Sequence, residues 1–251
     1  MVKGLEVFKR YFEAYSDQYV LIGGTACNLL FEDAGVTFRA TKDLDMVLIV
    51  EALTPEFGRV FWMFIQDGQY KNRAKSNGSP QFFRFDKPKT AGFPFMIELF
   101  SRTESVLSSM EQNGLVPLHL DDEISSLSAI LLNEDYYQML LAGRQMAGEL
   151  VILAPEYLIL FKAKAWLELS ARKETGEPVD SRDIKKHKND IVRLAAILTG
   201  EEKCNLPERV KQDMKDFVER LQSEEIDFKA LQLPRFTKES LVTLLRKLYV
   251  D

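Results

Sequence analysis

The segment Tyr19-Val-Leu-Ile-Gly-Gly-Thr-Ala-Cys27 decides how the chain is organised. Its first four residues favour a strand, the pair Gly23-Gly24 ends that strand, and a helix is expected to open at Thr25. A strand, a glycine turn and a helix in this order present backbone N–H groups that suit a phosphate. A glycine pair alone is a weak motif, so the prediction depends on the segments that follow.

A second segment, Arg39-Ala-Thr-Lys-Asp-Leu-Asp-Met-Val-Leu-Ile-Val50, begins polar and continues as an apolar strand. Side chains in a strand alternate between its two faces, so Asp43 and Asp45 point the same way while Leu44 points into the core. Two carboxylates held side by side form a site for a hard divalent cation.

Two charged residues near these segments each have two interpretations. Arg39 could hold a phosphate through its planar fork of donors, or it could form an ion pair with Asp43 or Glu32. Glu98 lies in the apolar strand 93–100, where an unpaired buried charge is costly. Glu98 therefore needs a partner, which is either a functional site or a structural ion pair.

Composition places the chain among ordinary globular proteins. It has 251 residues, 46% hydrophobic and 28% charged, and its net charge of −5 disfavours a broad nucleic-acid-binding surface. No segment approaches the roughly 18 unbroken apolar residues of a membrane span, and the first residues lack a signal-peptide core. We therefore expect a cytoplasmic protein without a membrane partner. Two cysteines and two histidines also disfavour a zinc site.

The order Gly-Gly-Thr-Ala, then Arg-x-Thr-x-Asp-Leu-Asp, resembles nucleotidyltransferases of the AbiEii/AbiGii toxin type, in the DNA polymerase β-like superfamily. The resemblance reaches from about Tyr19 to about Leu198, although many superfamily members carry Gly-Ser where this chain has Gly24-Thr25. It implies an α+β protein. Residues 1–150 would form a nucleotidyltransferase α/β domain with a mixed sheet, and residues 151–251 a helical C-terminal domain.

The resemblance also implies the site residues. A catalytic set would bind Mg²⁺ or Mn²⁺ through Asp43, Asp45 and Glu98. A nucleotide-binding set would comprise Gly23, Gly24, Thr25, Arg39, Thr41, Lys162, Lys188 and Asp190. Two alternatives stay open here: Lys162 could instead extend from its helix edge into water, and Asp190 could belong to an exposed run of charges.

The implied reaction is the metal-dependent transfer of a nucleoside monophosphate from a nucleoside triphosphate to an acceptor hydroxyl, with release of pyrophosphate. The acceptor would be RNA, a protein or a small molecule. The resemblance further implies a toxin of a toxin-antitoxin or phage-defence pair, with an antitoxin protein as its partner. A non-catalytic nucleotide-binding regulatory module on the same fold is the alternative, and a plain interaction protein is the third hypothesis.

Several secondary-structure predictions concern the middle of the chain. We expect a polar, hairpin-like loop over 70–80 and short strands over 115–120 and 124–132. We expect a helix from Asn133 to near Gly148, followed by an apolar strand.

Overall fold

The computed structural model describes residues 3–36, 38–39, 41–74, 82–102, 130–131 and 133–251, leaving aside the side chains of 72–74, 82 and 83. Seven strands within these residues form one sheet. In chain order they are β1 (Tyr19–Ile22), β2 (Asp43–Leu48), β3 (Lys71–Ala74), β4 (Phe82–Asp86), β5 (Met96–Phe100), β6 (Arg144–Ala147) and β7 (Leu150–Leu153).

The sheet is mixed, as the sequence predicts. Its strand order is β3-β4-β5-β2-β1-β7-β6. Strand β2 runs parallel to β5 and antiparallel to β1, while β1 runs parallel to β7. The predicted α+β class is therefore confirmed, with helices accompanying the sheet and following it along the chain.

Capping residues mark the starts of several helices among the described residues. Thr54 caps the helix that starts at Pro55, where a proline fits the first turn. Asp180 and Asn133 cap two others through their side-chain oxygens. In chain order the helices are α1 (Leu5–Phe12), α2 (Gly23–Asp33), α3 (Pro55–Asp67), α4 (Glu134–Ala142), α5 (Pro155–Glu174), α6 (Ser181–Ala195), α7 (Glu208–Leu221) and α8 (Lys238–Tyr249).

One face of the sheet is an aromatic core covered by α1 and α3. Phe8 of α1 lies 5.5 Å from Tyr19 of β1, and Phe61 of α3 lies 5.5 Å from Phe85 of β4, measured between ring centroids. Phe12 and Phe64 join the two helices at 5.3 Å. These rings bury the apolar stripes that the helical spacing predicts and hold the sheet in place.

The opposite face carries the charged side chains. Strand register pairs Asp45 with Glu98 across β2 and β5, and pairs Glu98 with Arg84 across β5 and β4. Because paired residues share a face, these three side chains stand on the face that Leu44 avoids. The alternation predicted for β2 therefore places Asp45 on this face, and the register with β5 adds Glu98.

The described chain forms two compact units. One comprises the described residues of Met1–Leu120 and Arg144–Leu153, and the other those of Asp121–Gly143 and Ala154–Asp251. The predicted domain limits, 1–150 and 151–251, stay a prediction. In the structure the hairpin β6–β7 belongs with the sheet, whereas α4, which precedes it in the chain, belongs with the later helices.

The helical unit is held by a long central helix, α5, and by a polar cluster. Trp166 of α5 packs edge-on against Phe217 of α7 at 5.3 Å. The Tyr136 hydroxyl donates to Asp213 Oδ2 at 3.0 Å, and Lys164 Nζ donates to Asp213 Oδ1 at 3.1 Å. Asp213 thereby ties α4 and α5 to α7. No helix of the described residues is long and apolar enough to cross a membrane.

Some local predictions differ from the structure. The helix expected to end near Gly148 ends at Ala142, and residues 144–147 form β6 instead. Ile130 and Leu131 are helical, so the end of the strand predicted over 124–132 is wrong. Residues 71–74 of the predicted loop form β3. The strand predicted over 115–120, residues 124–129 and residues 75–80 of the loop lie outside the described residues.

Candidate active site

The glycine turn is shaped by the strand beside it. Gly23 has φ +65°, a left-handed conformation that glycine adopts without penalty, and it begins α2 directly after β1. Asp45 pairs with Ile22 in the register, which brings its carboxylate against Gly23. A Cβ on Gly23 would lie 1.8 Å from Asp45 Oδ2, so only glycine leaves room for this carboxylate.

The second glycine makes room for the segment that leads into β2. A Cβ on Gly24 would lie 2.7 Å from Thr41 Oγ1 and 3.7 Å from Arg39 Nη2. The Arg39 guanidinium also lies over the Phe38 ring, 5.1 Å from its centroid. The structure thus brings Arg39 and Thr41 to the glycine turn, as expected if they belong to one site.

The hydroxyl of Thr25 makes a contact within the protein that the sequence did not predict. The side chain is buried, and its hydroxyl donates to the backbone carbonyl of Asp43 at 2.6 Å. The hydroxyl is therefore used to fix the start of β2 against α2. Thr25 positions Asp43 in this structure, and its contact with a phosphate stays a prediction.

The carboxylates meet on the charged face of the sheet. Asp43 and Asp45 are partly exposed, while Glu98 is buried beside Asp45 and shares a hydrogen bond with it. The pKa of Glu98 is raised to about 9, first because burial disfavours its charged form and second because of the neighbouring Asp45. Two carboxylates in such contact retain a proton between them.

Glu98 is also one half of an ion pair. Its Oε1 accepts from Arg84 Nε at 2.9 Å and from Arg84 Nη2 at 2.7 Å. The Arg84 guanidinium lowers the pKa of Glu98 and so opposes the effects of burial and of Asp45. Both interpretations of Glu98 from the sequence therefore describe real contacts, since it touches an aspartate of the candidate site and a structural cation.

The carboxylates of the site offer oxygen donors for one metal ion. Among the described residues, no group of three or more His, Cys, Asp or Glu side chains is arranged to hold one. Asp43 and Asp45 still offer oxygen donors on one face, and Mg²⁺ commonly uses one or two carboxylates together with water and substrate phosphates. The two aspartates therefore fit a single hard cation. Glu98 does not join them as a third metal ligand.

Sequence reasoning missed Arg84 and Asp86. Both belong to β4, on the same face as Glu98, and the Asp86 side chain is buried. A signal for Arg84 was present, because a charge within the apolar strand Phe82–Asp86 needs a partner for the same reason as Glu98. Which partner it finds depends on strand register, which a single sequence does not give.

The three remaining predicted residues lie in the helical unit. Lys162 is buried and its Nζ donates to Asp190 Oδ2 at 2.9 Å, with Asp190 fully buried. Lys162 therefore does not extend into water, and Asp190 orients it. Lys188 instead donates to Glu224 Oε2 at 2.5 Å and to the Glu225 carbonyl at 2.9 Å, so its ammonium group is committed to the segment after α7.

Comparison with known proteins found structural neighbours only. No protein-family model matches the chain, and no curated protein matches it. An antigenic nucleotidyltransferase-like protein from Paracoccidioides brasiliensis is 14% identical, with a TM-score of 0.49 over 100% of this chain and 96% of its own. The antibiotic-resistance factor ANT(2'')-Ia is 11% identical, with a TM-score of 0.39 over 88% of this chain and 93% of its own. No function is transferred from either protein.

Proposed function

We propose that the chain is a metal-dependent nucleotidyltransferase that moves a nucleoside monophosphate from a nucleoside triphosphate to an acceptor hydroxyl. The observation that carries the proposal is the contact between Gly23 and Asp45, which joins a strand-turn-helix to an acidic strand. Residues 23, 39, 41, 43, 45 and 98, far apart in the sequence, meet around this contact.

Each residue has a task that its position supports. Asp43 and Asp45 would hold Mg²⁺ or Mn²⁺, and the ion would offset charge on the phosphoryl oxygens and the leaving pyrophosphate. The backbone N–H groups of Gly23 and Gly24 begin α2 without a side-chain cap and would receive a phosphate together with Arg39. Thr25 fixes Asp43, and Thr41 packs against Gly24. Glu98 supports Asp45 from the neighbouring strand.

The finer assignments stay proposals supported by the sequence resemblance alone. They are an acceptor on RNA, a protein or a small molecule, a toxin role, an antitoxin partner and a cytoplasmic location. Participation of Lys162 and Asp190 in nucleotide binding also remains a proposal, whereas Lys188 already has partners in Glu224 and Glu225.

The direct test is label transfer. The purified chain is incubated with Mg²⁺ and each α-³²P-labelled nucleoside triphosphate, with total cellular RNA and protein as acceptors. We expect transfer of label from one nucleotide, reduced about 100-fold or more by Asp43→Asn and by Asp45→Asn. The exposed Glu13→Gln is the control and should transfer like the wild type. Absence of transfer, or transfer unchanged in both aspartate variants, would contradict the proposal.

A second function is favoured by one observation. Glu98 is tied to Arg84, and the described residues contain no three-acid metal group, so the fold could bind a nucleotide without catalysis. Isothermal titration calorimetry separates the two functions. Binding of a nucleotide with Mg²⁺, without turnover on any acceptor, supports a regulatory module. A plain interaction protein would bind neither metal nor nucleotide.

A further inference from the structure

We propose that Arg84 takes the place of a second metal ion beside Glu98, so that the site binds a single divalent cation, through Asp43 and Asp45. This inference rests on the proposed function and deepens it. It makes Arg84 a positioning residue, since Arg84 acts on the site through Glu98.

Arg84 holds Glu98 through two hydrogen bonds. Two nitrogens of the Arg84 guanidinium, Nε and Nη2, donate to the same oxygen of Glu98, Oε1, at 2.9 and 2.7 Å. A planar guanidinium fixed by two hydrogen bonds holds a carboxylate in one orientation. Oε1 is thus already occupied by a positive group, and the hydrogen bond to Asp45 engages the same carboxyl group from the neighbouring strand.

Two acidic residues and one arginine lie side by side across three strands of the sheet. Register places Asp45, Glu98 and Arg84 opposite one another on three successive strands, β2, β5 and β4. A cation bridging Asp45 and Glu98 would therefore be a close neighbour of the guanidinium on the same face. Like charges repel strongly where water is scarce, so the position is unfavourable for a second ion.

The ion pair between Arg84 and Glu98 is largely shielded from water. The side chains of Arg84 and Glu98 are 13% and 9% exposed, so solvent does not readily replace the pair. Separating a buried ion pair leaves an uncompensated charge on each side. Asp43 and Asp45 are partly exposed, whereas Glu98 is buried, so the aspartates are the more accessible carboxylates for a hydrated ion. The described residues accordingly show no group of three acidic metal ligands.

The inference predicts how many ions bind, which activity alone would not reveal. Mn²⁺ is titrated into the intact chain, and free Mn²⁺ is followed by electron paramagnetic resonance. We expect one bound ion per chain in the wild type, with affinity lowered about tenfold or more in Asp45→Asn. Arg84→Gln removes the guanidinium beside Glu98, so a second Mn²⁺ should displace the proton that Glu98 shares with Asp45 and bind there. Arg84→Lys keeps a positive charge and should bind one ion.

Matched controls make the outcome decisive. Arg59 is exposed and pairs with Glu56 within α3, so Arg59→Gln removes an equal charge remote from Glu98 and should still bind one ion. Two ions per wild-type chain, or one ion in Arg84→Gln, would overturn the inference and leave the proposed function standing. Absence of Mn²⁺ binding, or binding that ignores Asp43→Asn and Asp45→Asn, would overturn both. If Arg84→Gln fails to fold, two ions in the wild type or in Arg84→Lys would still overturn the inference.

Discussion

Gly23 and Asp45 are so close that a Cβ added to the glycine would lie 1.8 Å from the aspartate Oδ2. The glycine can therefore carry no side chain while the carboxylate keeps this position. The sequence predicts that this glycine pair binds a phosphate. In the structure, the space that a side chain on Gly23 would fill is taken by the carboxylate of Asp45.

Gly23→Ala should therefore destabilise the protein and displace Asp45. A matched control is Gly148→Ala, because Gly148 has a similar φ of +61° but no described atom within 4 Å of its Cβ position. Backbone strain should cost each variant about 1–2 kcal/mol, and overlap with Asp45 should cost Gly23→Ala about 1–3 kcal/mol more. Urea unfolding measures both, and equal losses would contradict the close contact.

Thr25→Val should weaken the attachment of α2 to β2. The variant keeps the shape of the side chain but removes the donor to the Asp43 carbonyl, at a cost of about 1–3 kcal/mol because that carbonyl loses a buried partner. Thr25→Ser keeps the hydroxyl and loses one methyl group, worth about 0.8 kcal/mol. Chemical denaturation should rank the wild type above Ser and Ser above Val. A Val variant as stable as Ser would show that the hydrogen bond contributes little.

Stability should fall with rising pH because of Glu98. The pKa of Glu98 is near 4.3 in an unfolded chain and is raised to about 9 in the fold, by burial and by Asp45. Between these values the unfolded chain releases a proton that the folded one retains, so the free energy of unfolding decreases as pH rises. A difference of one bound proton changes the free energy of unfolding by at most about 1.4 kcal/mol per pH unit.

The Glu98→Gln variant isolates this effect, since glutamine does not titrate. The difference in free energy of unfolding, variant minus wild type, should grow from pH 5 to pH 9 in metal-free buffer. A difference that is independent of pH would show that Glu98 is already ionised at pH 5, held so by Arg84.

The pair formed by Lys162 and Asp190 should show strong coupling. Lys162→Met or Asp190→Leu alone leaves one buried charge without its partner and should cost about 3–5 kcal/mol. The double variant leaves neither charge and should recover much of that loss. Lys164 and Asp213 form a comparison pair whose side chains are 17% and 16% exposed. The coupling free energy between them should be about 1 kcal/mol. A double-mutant cycle measures both couplings, and additive losses at Lys162 and Asp190 would refute the prediction.

Local patterns were sufficient where the structure follows local rules. The alternation of β2 predicts that Asp43 and Asp45 share a face. The glycine pair predicts the change from strand to helix after β1, although α2 begins at Gly23 and not at Thr25. The sequence did not reveal Arg84 as the partner of Glu98, or Glu224 as the partner of Lys188. Both pairings join segments that meet only through tertiary structure.

The error at residues 144–147 arises from pairing with the next strand in the chain. Arg-Gln-Met-Ala is polar and mostly exposed, and it reads as the continuation of α4. It becomes a strand because it pairs with the buried strand Leu150–Leu153 across the turn at Gly148. Pairing with β7, the next strand in the chain, overrides the local helical propensity here.

The parallel pairing of Leu21 with Ile152 has a consequence for synthesis of the protein. Strand β1 is apolar and fully enclosed, yet one of its edges is covered only by β7, about 130 residues later. Until that segment leaves the ribosome, the nascent chain exposes a hydrophobic edge that can recruit strands from other molecules. A chaperone that shields this edge during translation would therefore act on residues 19–22.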